Sequence, residues 1–249
     1  MDFVPCKKCN NGYIYTKKDS FESVVECECH KKWLKENQLE KQYKHNGFDM
    51  RHFTYSPRQY VGSKSIEDKD RLINYVRQFE LNPEVRKLLV YMYGPNGTQK
   101  STLASWVGKS LLAKMFSVRY VLMNDLIKLL MDAEDFNEER KEAAQAKVEK
   151  LENTDLIIVD ESFDKEKVKL YRSKFQISFL DSWVRKRIGS LNKGIIFISN
   201  VPLDKIEENG FSHSIQDFVE REVRLKKCYL QFFDNYLANN TTEFDGSLF

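Results

Sequence analysis

The chain has 249 residues, of which 31% are charged and 13% are aromatic, and its formal net charge is +3. This balance excludes a polycation and a compositionally disordered chain, so any contact with nucleic acid must come from local basic patches. No apolar run reaches 18 residues and the start carries no signal-peptide pattern, so we expect a cytoplasmic protein without a membrane partner.

Four of the five cysteines lie within the first 29 residues, in two pairs: Cys6, Cys9, Cys27 and Cys29. In a cytosolic chain, cysteines clustered in this way bind Zn²⁺ more often than they form disulfides. The segment between the pairs indicates a hairpin. His30 is an alternative to Cys29, since Cys27-x-x-His30 is also a good ligand spacing. Four protein ligands leave no open position, so we predict a structural zinc site, and we expect the lone Cys228 in the core.

The next stretch, residues 31–43, has a helical composition with only a thin apolar stripe. The stripe indicates either a helix that docks on a partner or a solvated connector, and the sequence leaves both open. Residues 48–62 show no periodicity and contain several aromatic side chains, which indicates an irregular linker.

The remaining chain predicts strands that alternate with helices. An amphipathic helix at 65–79 comes first, with Ser65 and Asp68 at the spacing of a capping box. Strands are predicted at 88–93, 118–123, 155–159, 194–199 and 228–233, and the intervening helices at about 103–116, 124–131, 137–152, 175–188 and 215–224. This alternation predicts an α/β fold with a five-stranded parallel sheet.

The segment after the first of these strands has the composition of a phosphate loop. It runs Gly94, Pro95, Asn96, Gly97, Thr98, Gln99, Lys100, Ser101 and Thr102, and a helix follows. Backbone N–H groups of such a loop cradle phosphate oxygens, and the helix N-terminus favours the same anion. Lys100 is expected to reach the β- and γ-phosphates, and Ser101 to offer its hydroxyl to Mg²⁺. Gln99 replaces the usual glycine.

Acidic and amide side chains follow two later buried strands. Asp160 and Glu161 come directly after the run 156–159, and Asn200 follows the run 194–199. In a parallel sheet, such positions meet at the crevice where ligands bind. We therefore expect Asp160 to hold Mg²⁺, Glu161 to act as the base for the attacking water, and Asn200 to contact water or the γ-phosphate.

Together, segments 94–102, 156–161, 195–200 and 218–224 resemble those of an AAA+ ATPase, and more narrowly the DnaC/DnaI-type replicative helicase loaders of bacteria and their phages. The cysteine module with Gly12-Tyr-Ile-Tyr15 is similar to the zinc module of the DnaI side of that family. The resemblance implies strand order 5-1-4-3-2. It also implies a zinc-binding, helicase-interacting module at 1–46, a linker at 47–64, an AAA+ domain at 65–238 and a flexible tail at 239–249.

The resemblance also implies an activity and partners. Loaders of this type bind ATP and single-stranded DNA, assemble as a homo-oligomer, and help to place a hexameric replicative helicase on single-stranded DNA. It makes Lys100, Asp160, Glu161 and Asn200 catalytic and Asn200 a sensor. It places an arginine finger at Arg221, with Arg224 as the alternative.

Other readings of the sequence remain open. Basic residues for single-stranded DNA are expected in one of two patches, which consist of Lys165, Lys167, Lys169, Arg172 and Lys174, or of residues 185–187. The alternative functions are a transposition ATPase of the IstB type and a non-hydrolysing, ATP-binding adaptor.

Overall fold

The computed structural model describes residues 3–18, 21–62, 64–168 and 175–233. The chain begins with an antiparallel hairpin of β1 (Tyr13–Lys18) and β2 (Phe21–Glu26). Helix α1 (Glu28–His45) starts directly after Cys27, so the hairpin, the cysteines and the helix form one continuous N-terminal module. The predicted tail at 239–249 lies outside the described residues.

A five-stranded parallel sheet forms the centre of the larger domain. Its strands are β3 (Leu89–Tyr93), β4 (Val118–Leu122), β5 (Leu156–Asp160), β6 (Gly194–Ser199) and β7 (Tyr229–Gln231), arranged in the order β7-β3-β6-β5-β4. Numbered within the sheet, this is the predicted order 5-1-4-3-2, and the predicted α/β fold is confirmed. The three inner strands are almost fully buried, which explains why their sequences are continuous apolar runs.

Helices cover both faces of the sheet. They are α2 (Ile66–Leu81), α3 (Pro83–Arg86), α4 (Lys100–Leu112), α5 (Met123–Asp132), α6 (Glu138–Asn153), α7 (Phe175–Arg185) and α8 (His213–Leu225). One core lies between the sheet and α5 to α8, and the other between the sheet and α2 and α4. No helix in the described part of the chain is both long and apolar enough to cross a membrane.

The segment predicted as a linker packs across α4. We call residues 46–60 the strap. Its Phe48 is buried, and its ring occupies the space that a side chain on Gly108 would need. Lys109 Nζ on α4 donates to the carbonyls of Phe53 and Tyr55, at 2.5 and 3.0 Å. The strap therefore ties the end of α1 to the helix that follows the phosphate loop.

The end of α1 is also anchored. Tyr43 is fully buried and stacks on Phe48 at a ring distance of 4.6 Å, with Phe53 at 5.2 Å. Only this end of α1 contributes a buried apolar side chain, whereas the preceding turns stay partly exposed. The thin apolar stripe of α1 thus ends at Tyr43, which packs against the larger domain.

The predicted capping pair Ser65 and Asp68 has a different role. Ser65 makes no side-chain cap on α2, and its hydroxyl accepts from the backbone N–H of Phe233. Asp68 accepts from the N–H of Gln231 at 2.8 Å, and Arg71 donates to the carbonyls of Lys227 and Tyr229. These side chains form hydrogen bonds with backbone groups at the outer edge of β7, so those groups are not free to pair with another strand.

One of the two predicted DNA-contacting patches, residues 185–187, is wrong in part, because Arg187 is buried. Helix α7 ends at Arg185, and a π-helical turn, Lys186–Ser190, follows it. Within this turn Arg187 is fully buried, and it donates to the carbonyls of Leu151, Thr154 and Gly194 at 2.8, 2.7 and 3.1 Å. Burial lowers the pKa of Arg187 to about 9. Arg187 therefore joins α6 to β6 and presents no charge to DNA.

Candidate nucleotide site

The phosphate loop connects β3 to α4 through two unusual backbone conformations. Gly94 has φ +159, and a side chain there would collide with the carbonyl of Phe232. Gln99 has φ +62, in the left-handed region, and precedes the first residue of α4. Glycine adopts this conformation without strain, which is the physical reason for glycine at this position in most phosphate loops. The Tyr55 hydroxyl of the strap lies 3.5 Å from Oε1 of Gln99.

Lys100 is folded into the loop. Its Nζ donates to the carbonyls of Gly94 and Pro95, at 2.7 and 2.8 Å, and to Oδ1 of Asn200 at 3.2 Å. Burial lowers the pKa of Lys100 to about 8, against the opposing effect of the Asp160 charge. The ammonium group is thus desolvated, and an anion that enters the loop would be attracted more strongly than by a solvated lysine.

The ends of β5 and β6 bring the polar residues to this loop. Because the two strands are parallel and in register, the residues that follow them lie at one edge of the sheet. Asn200 Nδ2 donates to Oδ1 of Asn96 at 2.9 Å, which joins the end of β6 to the loop. Glu161 has φ +55, and its carboxylate lies 3.1 Å from Nζ of Lys167.

These residues line one open cavity of about 560 Å³, a size typical of ligand sites. The predicted residues that line it are Asn96, Gly97, Thr98, Gln99, Lys100, Ser101, Thr102, Asp160, Glu161 and Asn200. The strap adds Arg51 and His52, which the sequence reasoning missed because it placed them in a linker. His52 Nδ1 lies 3.3 Å from Oγ1 of Thr102, and burial lowers the pKa of His52.

Ser101 and Asp160 suit a divalent cation. Both line the cavity, and a hydroxyl and a carboxylate are oxygen ligands of the type that Mg²⁺ takes. The Tyr120 hydroxyl donates to Oδ2 of Asp160. Oδ1 of Asp160 accepts from the N–H of Glu161 at 2.7 Å.

The two predicted finger arginines differ in their surroundings. Arg221 is exposed on α8, with its guanidinium 5.6 Å from the centre of the Phe218 ring. Arg224 pairs with Glu220 on the same helix at 2.6 Å. Among the described residues, neither arginine lines the cavity of its own chain.

The basic residues after Glu161 are described only in part. Lys165 is exposed and Lys167 pairs with Glu161. The predictions for Lys169, Arg172 and Lys174 fall outside the described residues. In the second patch, Arg185 pairs with Asp181 at 2.7 Å and Lys186 pairs with Glu152 at 2.6 Å.

The four N-terminal cysteines form a separate cluster. Their sulfur atoms lie within 4.8 Å of one another, with closest pairs of 3.4 to 3.7 Å: Cys6 with Cys9 and Cys27, and Cys29 with Cys9 and Cys27. A tetrahedral site with Zn–S bonds of about 2.3 Å requires sulfur separations of about 3.8 Å, so the cluster fits zinc. His30 instead hydrogen-bonds to Glu26 at 2.8 Å and stacks on Trp33.

Replacement of Gln99 tests the strained turn. We expect Gln99→Gly to relieve about 1 kcal/mol of backbone strain. In a chain that uses this loop to bind and hydrolyse ATP, the same change should keep or modestly improve ATP affinity and raise the rate of hydrolysis. The reason is that rate depends on placement of the γ-phosphate more steeply than affinity does. Gln99→Ala is the matched control, since it removes the contact with Tyr55 but keeps a side chain at a positive φ. Loss of ATP binding in Gln99→Gly would show that the glutamine itself contacts the nucleotide.

No family model matches the sequence, and no curated protein matches it. Solved structures share its fold. Domain III of the replication initiation protein DnaA from Thermotoga maritima has a TM-score of 0.53 at 15% identity, over 70% of this chain and 64% of that one. The DnaC helicase loader has a TM-score of 0.52 at 18% identity, over 74% of this chain and 99% of that one.

A structure described as replication initiator DnaA bound to AMPPCP and single-stranded DNA has a TM-score of 0.55 at 16% identity. The match covers 75% of this chain but only 51% of the initiator, so this chain corresponds to about half of that protein. At such identities the likeness shows the fold alone, an α/β fold that this chain shares with these replication proteins.

Proposed function

We propose that this chain is an ATPase that binds ATP with Mg²⁺ in the cavity between the phosphate loop and the ends of β5 and β6. One observation carries the proposal: Lys100, Ser101, Asp160, Glu161 and Asn200 all line the same cavity at the edge of a parallel sheet. Their chemistry matches the requirements of phosphoryl transfer, namely cation, metal ligands, base and a polar contact to the γ-phosphate. The DnaA structure with AMPPCP supports the choice of nucleotide.

In this proposal each side chain has one role. Backbone N–H groups of the loop and Nζ of Lys100 bind the phosphates, and Ser101 with Asp160 hold Mg²⁺, which supplies charge neutralisation when bound. Glu161 accepts the proton of the attacking water. Before it can do so, its carboxylate must turn from Lys167, which lies 3.1 Å away. Asn200, hydrogen-bonded to Lys100 and Asn96, orients the γ-phosphate or the water.

We further propose that the chain loads a hexameric replicative helicase onto single-stranded DNA. The fold likeness to the DnaC helicase loader supports this. The N-terminal module offers a surface for the helicase, since Tyr15 and Val24 face each other across the hairpin and are 65% and 55% exposed. Because α1 is anchored through Tyr43 and the strap, a helicase bound to this module is held at a fixed place relative to the ATPase domain.

We propose that several copies of the chain assemble, because the predicted arginine finger would have to act on a neighbouring copy. An arginine that stabilises the transferring phosphate must reach a cavity, yet Arg221 does not line the cavity of its own chain. We assign the finger to Arg221 acting on a neighbouring subunit, since Arg224 is already paired with Glu220. The basic residues after Glu161 are the proposed contact for single-stranded DNA.

A pull-down distinguishes the loader from an IstB-type transposition ATPase and from an ATP-binding adaptor. We expect the chain to bind the hexameric replicative helicase of its own organism in the presence of ATP. Tyr15→Ser combined with Val24→Ser should abolish this binding and leave ATP binding unchanged. If that variant still binds the helicase, the hairpin is not the docking surface. If the wild-type chain does not bind the helicase, the loader proposal is wrong.

We propose one structural Zn²⁺ per chain, held by the four cysteines, and expect Cys6→Ser with Cys9→Ser to release it. A module of this size depends on its metal for folding, so helicase binding should be lost while the ATPase domain stays folded. Metal analysis of the purified protein gives the stoichiometry. Cys228→Ala is the control, because it removes a cysteine at the edge of β7 and should retain the zinc. A zinc content near zero in the wild type contradicts the proposal, and loss of zinc in His30→Ala alone would reassign a ligand.

A further inference from the structure

Tyr120, on β4, is not used in the roles above, although its hydroxyl is hydrogen-bonded to a residue assigned to Mg²⁺. The hydroxyl donates to Oδ2 of Asp160. Strands β4 and β5 pair in parallel, with Leu122 opposite Asp160, so the tyrosine reaches this carboxylate from the neighbouring strand. Tyr120 thus joins a proposed metal ligand to the strand beside it.

The strap holds this tyrosine in place from the other side. The backbone N–H of Tyr120 donates to the carbonyl of Asn46 at 2.9 Å, and its ring lies 5.3 Å from that of Phe48. Gly47 has φ +88, and a side chain there would lie 2.3 Å from the Tyr120 carbonyl. The strap therefore approaches β4 as closely as a backbone can, and the phenol ring has little freedom to move.

The carboxylate of Asp160 is held at both of its oxygens. Asp160 has one oxygen fixed by Tyr120 and the other by the N–H of Glu161. A carboxylate held at both oxygens cannot rotate, whereas a free one must be ordered when a cation binds.

We propose that Tyr120 is a positioning residue that holds Asp160 ready for the divalent cation of a bound nucleotide. The inference rests on the proposed function, since it assumes that Asp160 receives Mg²⁺. Residues that orient metal ligands typically contribute about 10- to 100-fold to metal affinity. Tyr120 touches neither the phosphates nor the water in this account, so its effect should be confined to the cation.

Tyr120→Phe tests the proposal, since it removes one oxygen and keeps the ring on Phe48. We would measure binding of ADP and of a non-hydrolysable ATP analogue by calorimetry, without Mg²⁺ and over a series of Mg²⁺ concentrations. The variant should match the wild type without Mg²⁺ to within about twofold, and should need about 10-fold more Mg²⁺ to reach half of the gain in affinity. Binding, and not turnover, is the readout.

Tyr91→Phe is the matched control. Tyr91 lies on the same sheet and is fully buried, whereas Tyr120 is half-buried, and the Tyr91 hydroxyl donates to the carbonyl of Val201 at 2.9 Å. Both variants lose one hydrogen bond of a tyrosine hydroxyl and should melt at reduced temperatures, but Tyr91→Phe should keep the wild-type response to Mg²⁺.

The possible results distinguish a failure of the proposed function from a failure of the positioning role of Tyr120. A wild-type chain that binds no nucleotide contradicts the proposed function itself. If the wild type binds nucleotide and Tyr120→Phe shows an unchanged response to Mg²⁺, the positioning role is wrong. The role is equally wrong if Tyr120→Phe weakens binding to the same extent with and without Mg²⁺, because that result describes a purely structural tyrosine.

Discussion

Lys100→Ala should weaken ATP binding by at least 100-fold, which corresponds to about 2.8 kcal/mol. The loop at 94–102 contains no other positive charge, and Nζ of Lys100 is desolvated among the carbonyls of Gly94 and Pro95. A charge-assisted hydrogen bond to phosphate contributes about 1.5 to 3 kcal/mol, and a buried one lies at the upper end. Titration with a fluorescent ATP analogue measures the loss.

Lys109→Ala is the control, because it shows whether the loss of any lysine from α4 weakens ATP binding. Lys109 lies on the same helix and also donates to two backbone carbonyls, those of Phe53 and Tyr55. Its loss should lower the melting temperature and leave ATP affinity within about threefold, because its ammonium does not line the cavity. Unchanged ATP affinity in Lys100→Ala would show that the loop is not the phosphate site.

The pKa of Lys100 predicts how the affinity for ATP varies with pH. In the free chain the pKa of Lys100 is about 8, and bound phosphate raises it because the anion stabilises the charged form. Affinity for ATP should therefore stay level below pH 8 and fall above it, by up to about 10-fold per pH unit. A level profile between pH 8 and 9.5 would mean that the ammonium does not meet the phosphates.

Glu161→Gln should bind ATP normally but hydrolyse it about 10²- to 10⁴-fold more slowly, the usual contribution of a general base. Glutamine keeps the shape of the side chain and cannot accept the proton, while Asp160 remains for Mg²⁺. Steady-state phosphate release measures the rate, and the fluorescent titration confirms binding.

Glu166→Gln is the matched control for the loss of a negative charge. Glu166 is exposed, lies five positions from Glu161 in the same loop, and does not line the cavity. It should hydrolyse ATP at the wild-type rate. Wild-type turnover in Glu161→Gln would move the base to another residue, and a chain without turnover in any form would favour the adaptor.

The sheet and the site residues at its edge could be predicted because their signals are local. Each inner strand is a continuous apolar run, and the turn after β3 carries the glycines and the lysine in one stretch. Parallel strands then bring Asp160 and Asn200 to the same edge. Continuous apolar runs and a turn with special backbone angles are visible in a single sequence.

Long-range contacts explain what could not be predicted. The strap has no periodicity, and its place on α4 depends on Gly108, which is distant in sequence from Phe48. Arg187 looked like part of a solvated basic run because nothing nearby in sequence shows that the carbonyls of Leu151, Thr154 and Gly194 surround it. Tyr120 likewise has no local signal, since its hydrogen-bond partner Asp160 lies on another strand.

The central claim is that this chain uses ATP to place a hexameric helicase on single-stranded DNA. Its most direct test is a loading assay on closed single-stranded DNA circles with the replicative helicase of the same organism, scored by the helicase that stays with the circles on gel filtration. We predict loading with the wild-type chain and ATP, and only background loading without ATP or with Lys100→Ala. Equal loading by the wild type, by Lys100→Ala and by helicase alone would contradict the account.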